Sequence, residues 1–149
     1  MSNVEMSRDY AVDRKRLFDH LVEPSNWPSY YNGMTEVLPH ERFEEPGDAV
    51  SFRYRLLGRT LEGTATLVEM RPGERIVLRA DIAGLPTVEH DWTYEDGDAG
   101  THVRVVMDTP PVDSFFGRAI DRFILPRQLE RDLARALDNV EDLVAVGFA

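Results

Sequence analysis

Thr87-Val88-Glu89-His90-Asp91-Trp92-Thr93-Tyr94-Glu95, Asp96-Gly97-Asp98-Ala99-Gly100 and Thr101-His102-Val103-Arg104-Val105-Val106-Met107-Asp108-Thr109 run on without a break, and the fold turns on them. In the first segment His90, Trp92 and Tyr94 alternate with Glu89, Asp91, Thr93 and Glu95, and in the last Val103, Val105 and Met107 alternate with His102 and Arg104. A period of two with one apolar side is the pattern of a half-buried strand, and a short Asp/Gly-rich link joins antiparallel neighbours. The stretch therefore predicts a hairpin with one dry face.

Upstream the same pattern repeats. Residues 36–43, 49–57, 59–70 and 75–82 are strand-like and separated by Glu45-Pro46-Gly47-Asp48, Leu57-Gly58, Arg71-Pro72-Gly73 and Gly84-Leu85-Pro86. Phe52, Tyr54 and Leu56 oppose Arg53 and Arg55, while Ile76, Leu78 and Ala80 oppose Arg75 and Arg79. A further alternating segment, residues 3–12, opens the chain. Asp13 then reads as the N-cap of a helix through Val22 that Pro24 ends, and residues 25–33 as a short second helix with Pro28 in its first turn. Beyond Pro110-Pro111 the period becomes helical: Ile120, Phe123 and Ile124, then Leu129, Leu133, Ala136, Leu137, Val140 and Val144, predict one long helix kinked near Pro126. Its charges oppose the helix dipole, with Arg127, Arg131 and Arg135 early and Asp138, Glu141 and Asp142 late. Packing against the dry face of the sheet must hold it.

A strand, two short helices, six antiparallel strands and a long last helix resembles the SRPBCC superfamily, the START-like, pollen-allergen-type helix-grip fold. The wording agrees: residues 19–28, with Glu23-Pro24 before Trp27-Pro28, His90-Asp91-Trp92-Thr93-Tyr94 followed by Gly100-Thr101-His102-Val103, and the Arg/Leu-rich residues 127–137. The expected class is α+β, a seven-stranded antiparallel curved sheet around a C-terminal helix, forming one domain over residues 1–149. Within the superfamily the sequence is most similar to the polyketide cyclase/dehydrase branch. The superfamily includes cyclases, lipid and hormone carriers and coenzyme chaperones. Its aromatase/cyclases imply a pocket Arg and Tyr; at the matching positions this chain has Leu67 and Met34.

Composition narrows the function. The 149 residues carry 17 Lys and Arg against 27 Asp and Glu, a net charge of −10, and no Cys. Disulfides, thiol nucleophiles and thiolate metal sites are excluded, and a cytoplasmic setting is expected. The acidic balance argues against nucleic acid, whose binding needs a basic face. No apolar run approaches the roughly 18 residues of a membrane span, and no export signal is visible. No His pair has metal-ligand spacing, no Gly-x-Ser-x-Gly elbow occurs and the glycines form no phosphate loop, so neither metal nor cofactor is expected.

Parity assigns the lining of a cavity between sheet and helix. From the strands come Phe52, Tyr54, Leu56, Leu61, Gly63, Ala65, Leu78, His90, Trp92, Tyr94, Val103, Val105 and Met107. Trp27, Tyr31 and Met34 lie near the mouth, with Phe115, Phe116, Phe123, Leu129 and Leu133 on the lid side. Gly63 and Ala65 leave volume on the fourth strand, which either holds a ligand or is filled by a large neighbour such as Trp92. His90 is the one titratable group that parity turns inward, and with Tyr54 or Tyr94 it forms an acid/base set. His20, His40 and His102 are read as surface residues. The expected function is binding of an apolar, ring-containing molecule of polyketide, isoprenoid or lipid type. The alternatives are a cyclase/dehydrase using His90, Tyr54 and Tyr94, and a protein-interaction or coenzyme-delivery module. Oligomeric state is not legible.

Overall fold

The computed structural model describes residues 2–38, 42–56, 58–109 and 125–148. Its strands are β1 (Ser2–Tyr10), β2 (Met34–Val37), β3 (Ala49–Leu56), β4 (Arg59–Arg71), β5 (Arg75–Ile82), β6 (Val88–Asp96) and β7 (Thr101–Thr109). They form one antiparallel sheet in the order β1-β7-β6-β5-β4-β3-β2. Helices α1 (Arg14–Leu21) and α2 (Trp27–Tyr30), linked by a 3-10 turn at Pro24–Asn26, join β1 to β2, and α3 is Leu125–Ala145. Because β1 and β2 lie at opposite edges, the two short helices carry the chain across the width of the sheet. The result is a helix-grip fold, with α3 in the concave face of a curved sheet.

Local chemistry sets the boundaries. The Asp13 side chain accepts the Arg16 backbone N–H at 3.2 Å, satisfying one of the free donors at the start of α1. Pro28 sits in the first turn of α2, where its missing N–H costs nothing. Gly73, at φ 76°, supplies the left-handed residue that the β4–β5 turn requires, and its carbonyl accepts a bond from Arg14 at 3.1 Å.

Two expectations change. The strand predicted at residues 36–43 begins earlier and ends at Val37, after which the Leu38 N–H still bonds the Ser51 carbonyl at 3.0 Å. The next residue, Pro39, has no N–H to extend a ladder. A register shift between Leu67 and Glu69 makes Val68 a bulge, and Ile76 and Val77 opposite are both buried, against strict alternation. The bulge turns no arginine inward: Arg53, Arg55, Arg59 and Arg79 are exposed, and Arg75 forms a two-bonded pair with Asp91 at 2.9 and 2.7 Å. The stretch of the last helix expected at residues 120–124 lies outside the described residues, so α3 is described from Leu125 with Pro126 in its first turn.

With its charges opposed to its dipole, α3 is held by contacts. Leu133, Ala136, Leu137 and Val140 are 1% exposed or less. The Tyr10 hydroxyl donates to the Leu137 carbonyl at 2.7 Å, and Asn139 donates to the Tyr30 carbonyl and to Asn32, each at 2.9 Å.

Candidate ligand cavity

Between β3–β7, α2 and the first half of α3 lies a cavity of about 110 Å³. Strand periodicity builds its wall, since His90, Trp92 and Tyr94 occupy alternate positions of β6 and point to one face. Of the residues read as lining, Phe52, Tyr54, Ala65, His90, Trp92, Tyr94 and Met107 border it from the sheet. Trp27, Tyr31, Met34 and Leu129 border it from the helices and the start of β2.

Five others do not, and two of them, Val103 and Leu133, are fully buried core side chains. Val105 is fully buried between its strand partners Met6 and Trp92, in solid core. Leu61, near the hairpin end of β4, is half-buried and off the wall. Gly63 faces inward, but the Phe52 ring fills the space above it: a Cβ on Gly63 would lie 2.6 Å from the tip of that ring. The gap is closed by a cross-strand neighbour, though by Phe52 and not Trp92. Phe115, Phe116, Phe123 and His40 lie outside the described residues.

The wall also holds residues that parity did not supply. Leu85 and Pro86, from the β5–β6 turn, cover one part, and Tyr30 another. Asp132 is the most consequential. It lies one helical turn beyond Leu129, a spacing that places both on one side of α3.

The polar groups of the wall divide by whether the protein already uses them. The Trp27 indole N–H and the Tyr30 hydroxyl both donate to the Leu21 carbonyl, at 3.1 and 2.6 Å, and so fix α2 on α1. The Tyr54 hydroxyl donates to Asp132 Oδ2 at 2.9 Å, and Gln128 Nε2 holds Oδ1 at 2.9 Å. No described group hydrogen-bonds the hydroxyls of Tyr31 and Tyr94 or the ring of His90. Burial pushes the phenols of Tyr31, Tyr54 and Tyr94 up, and the Asp132 carboxylate raises those of Tyr31 and Tyr54 further. All three stay protonated at any physiological pH.

Burial alone pushes His90 down to about 4. Its ring is neutral at pH 7, keeps one N–H to give and one nitrogen to accept, and is a weak base. No hydrogen bond joins any two of His90, Tyr54 and Tyr94 among the described residues. Four residue steps of extended chain, about 13 Å, separate the Cα atoms of His90 and Tyr94, with Trp92 between them. His90, Tyr54 and Tyr94 all border the one cavity.

The other described histidines differ. His102 is a surface residue paired with Asp9 at 2.7 Å. His20, expected at the surface, is half-buried, because the Phe148 ring stacks on it with centroids 4.3 Å apart. The chain end stays there because Gly147 and Phe148 both take positive φ, turning back so that the Gly147 carbonyl accepts from Arg16 at 3.0 Å.

Residues 1–145 match the family described as polyketide cyclase / dehydrase and lipid transport. The chain belongs to this family. It is the branch of the SRPBCC superfamily that the sequence motifs resemble, and the match takes in every strand and α3. Solved structures agree on the fold. The protein TTHA0849 from Thermus thermophilus aligns with a TM-score of 0.80 at 13% identity, over 99% of this chain and 100% of that one. Protein CV1439 from Chromobacterium violaceum gives 0.77 at 17%, over 97% and 98%. Ara h 8.0201 gives 0.73 at 13%, over 98% and 99%. Comparison with curated proteins finds no match.

Proposed function

We propose that this family member encloses one hydrophobic, ring-containing small molecule, of polyketide, isoprenoid or lipid type, between its sheet and α3. The observation that carries the reading is the cavity: an apolar wall with a few polar groups left unpaired is the usual make-up of a small-molecule site. Size adds a condition. A cavity of about 150 Å³ holds benzene, so at about 110 Å³ even a single ring requires the wall to give a little, and a larger ligand requires it to part further. Helix-grip relatives described by the family as cyclases or lipid carriers support the ligand class. The catalytic alternative has less support, since no hydrogen bond joins His90 to Tyr54 or Tyr94 among the described residues. Among the described residues only Leu38, Val68 and Val146 are large apolar side chains left exposed, so a protein-docking role has less support. The proposal includes a cytoplasmic setting and no nucleic-acid partner, on the charge of −10 and the absence of Cys. No described helix is long and apolar enough to cross a membrane.

Titration with menthol and cyclohexanol, followed by Trp27 and Trp92 fluorescence, tests this. A saturable response is expected, and Ala80→Leu, which adds bulk at the wall, should reduce it about tenfold or more. No saturable response to either probe sinks the reading.

A further inference from the structure

We propose that the Tyr54–Asp132 corner makes the cavity select ligands that carry a hydrogen-bond donor, a hydroxyl or an amine, and reject carboxylates. This rests on the reading that the cavity holds a small molecule, and it names the ligand's polar group. The Tyr54 hydroxyl has one proton, and that proton is engaged at 2.9 Å by Asp132 Oδ2. Toward the cavity its oxygen therefore offers lone pairs only. Gln128, one turn back on α3, holds Oδ1 at 2.9 Å and fixes the orientation of the carboxylate. A carboxylate has about four acceptor positions, and these two bonds fill two of them.

Both Tyr54 and Asp132 border the cavity, so the corner accepts and cannot donate. No described Lys or Arg borders the cavity, and no described ion pair neutralises Asp132. A ligand hydroxyl gives its proton to this corner and can take one from Tyr31, whose phenol is close enough to feel the charge of Asp132. A ligand carboxylate meets a second carboxylate at a half-buried corner, where like charges repel more strongly than in open water. Sequence parity does not reach this corner, because Asp132 is charged and lies off the apolar positions Leu129, Leu133, Ala136 and Leu137.

The test uses three probes with one tolyl body, p-xylene, p-cresol and p-toluate, titrated into the ¹⁵N-labelled full chain with dissociation constants read from amide shifts. The expected order is p-cresol tightest, p-xylene about threefold to tenfold weaker, and p-toluate at least about tenfold weaker than p-xylene. Asp132→Asn should tighten p-toluate by about tenfold, and Tyr54→Phe, which keeps the carboxylate, should leave p-toluate the weakest. If p-toluate binds the wild type as well as p-cresol does, the inference is overturned while the cavity reading stands. An Asp132→Asn variant that folds with the order unchanged overturns it too; if the variant does not fold, the wild-type order decides. If p-xylene itself shifts no cavity resonance, the reading of function fails first.

Discussion

The two halves of α3 meet one sheet in opposite ways. The C-terminal half lays Leu137 and Val140 at 0% exposure on a solid core that includes Tyr10, Phe18 and Val103. There the Tyr10 hydroxyl meets the Leu137 carbonyl and the Thr101 hydroxyl the Val12 carbonyl, at 2.7 and 2.8 Å, while the buried His20 Nε2 beside Phe148 has no partner among the described residues. Toward the N-terminal half, Leu129 and Asp132 face open volume, and the hydroxyls of Tyr31 and Tyr94 and the ring of His90 have no described partner. These groups border a cavity with room for a ligand's polar atoms, the usual make-up of a small-molecule site. The sealed half holds the helix in place, which leaves the other half free to hold a cavity.

The largest expected contrast is in core truncation. Leu137→Ala removes a fully packed side chain and should cost about 3 to 4 kcal/mol in urea unfolding. Leu78→Ala removes one that already borders empty space, and should cost about 1 kcal/mol. Equal losses would mean that the two halves are packed alike.

Acid should act next, through the cavity half. His90 titrates at about 4 in the folded chain against 6.5 as its ordinary value. Between those values the unfolded chain takes up a proton that the folded chain refuses, so stability falls as pH drops through the window and is unaffected above it. Going from pH 7.5 to pH 5, the wild type should lose about 2 kcal/mol more than His90→Gln. His20, also pushed down by burial, contributes in the same direction to both proteins and cancels in the difference. A parallel pH dependence in the two would show that the imidazole is solvated.

The sequence made the sheet legible because its strands are wet on one face, so that His90, Trp92 and Tyr94 declare their side by alternation alone. Alternation says which way a residue points and nothing of what reaches it from across the sheet. Gly63 reads as space until the register sets Phe52 opposite it and the ring folds over. Val105 has the parity of a wall residue yet lies in solid core, a distinction set by the position of α3. Asp132 was hidden by its charge, although its spacing from Leu129 was available. His20 depended on Phe148, 128 residues away in the chain, and no local pattern carries such a contact.

The smallest effect concerns two tyrosines with similar rings and similar burial, Tyr10 and Tyr94, each 3% exposed. Tyr10→Phe removes a buried hydrogen bond to α3 and should cost about 1 kcal/mol, a Tm drop of about 3 °C. Tyr94→Phe removes a hydroxyl that no described group engages. Its ring stays packed edge-on to Phe18 at 5.1 Å, so thermal stability should change by less than about 0.5 kcal/mol in either direction. The same variant should weaken a cavity-bound alcohol if that hydroxyl is there to meet a ligand. A Tyr94→Phe loss as large as that of Tyr10→Phe would mean that the hydroxyl is held by the protein, and the cavity would then keep one fewer group with which to recognise what it binds.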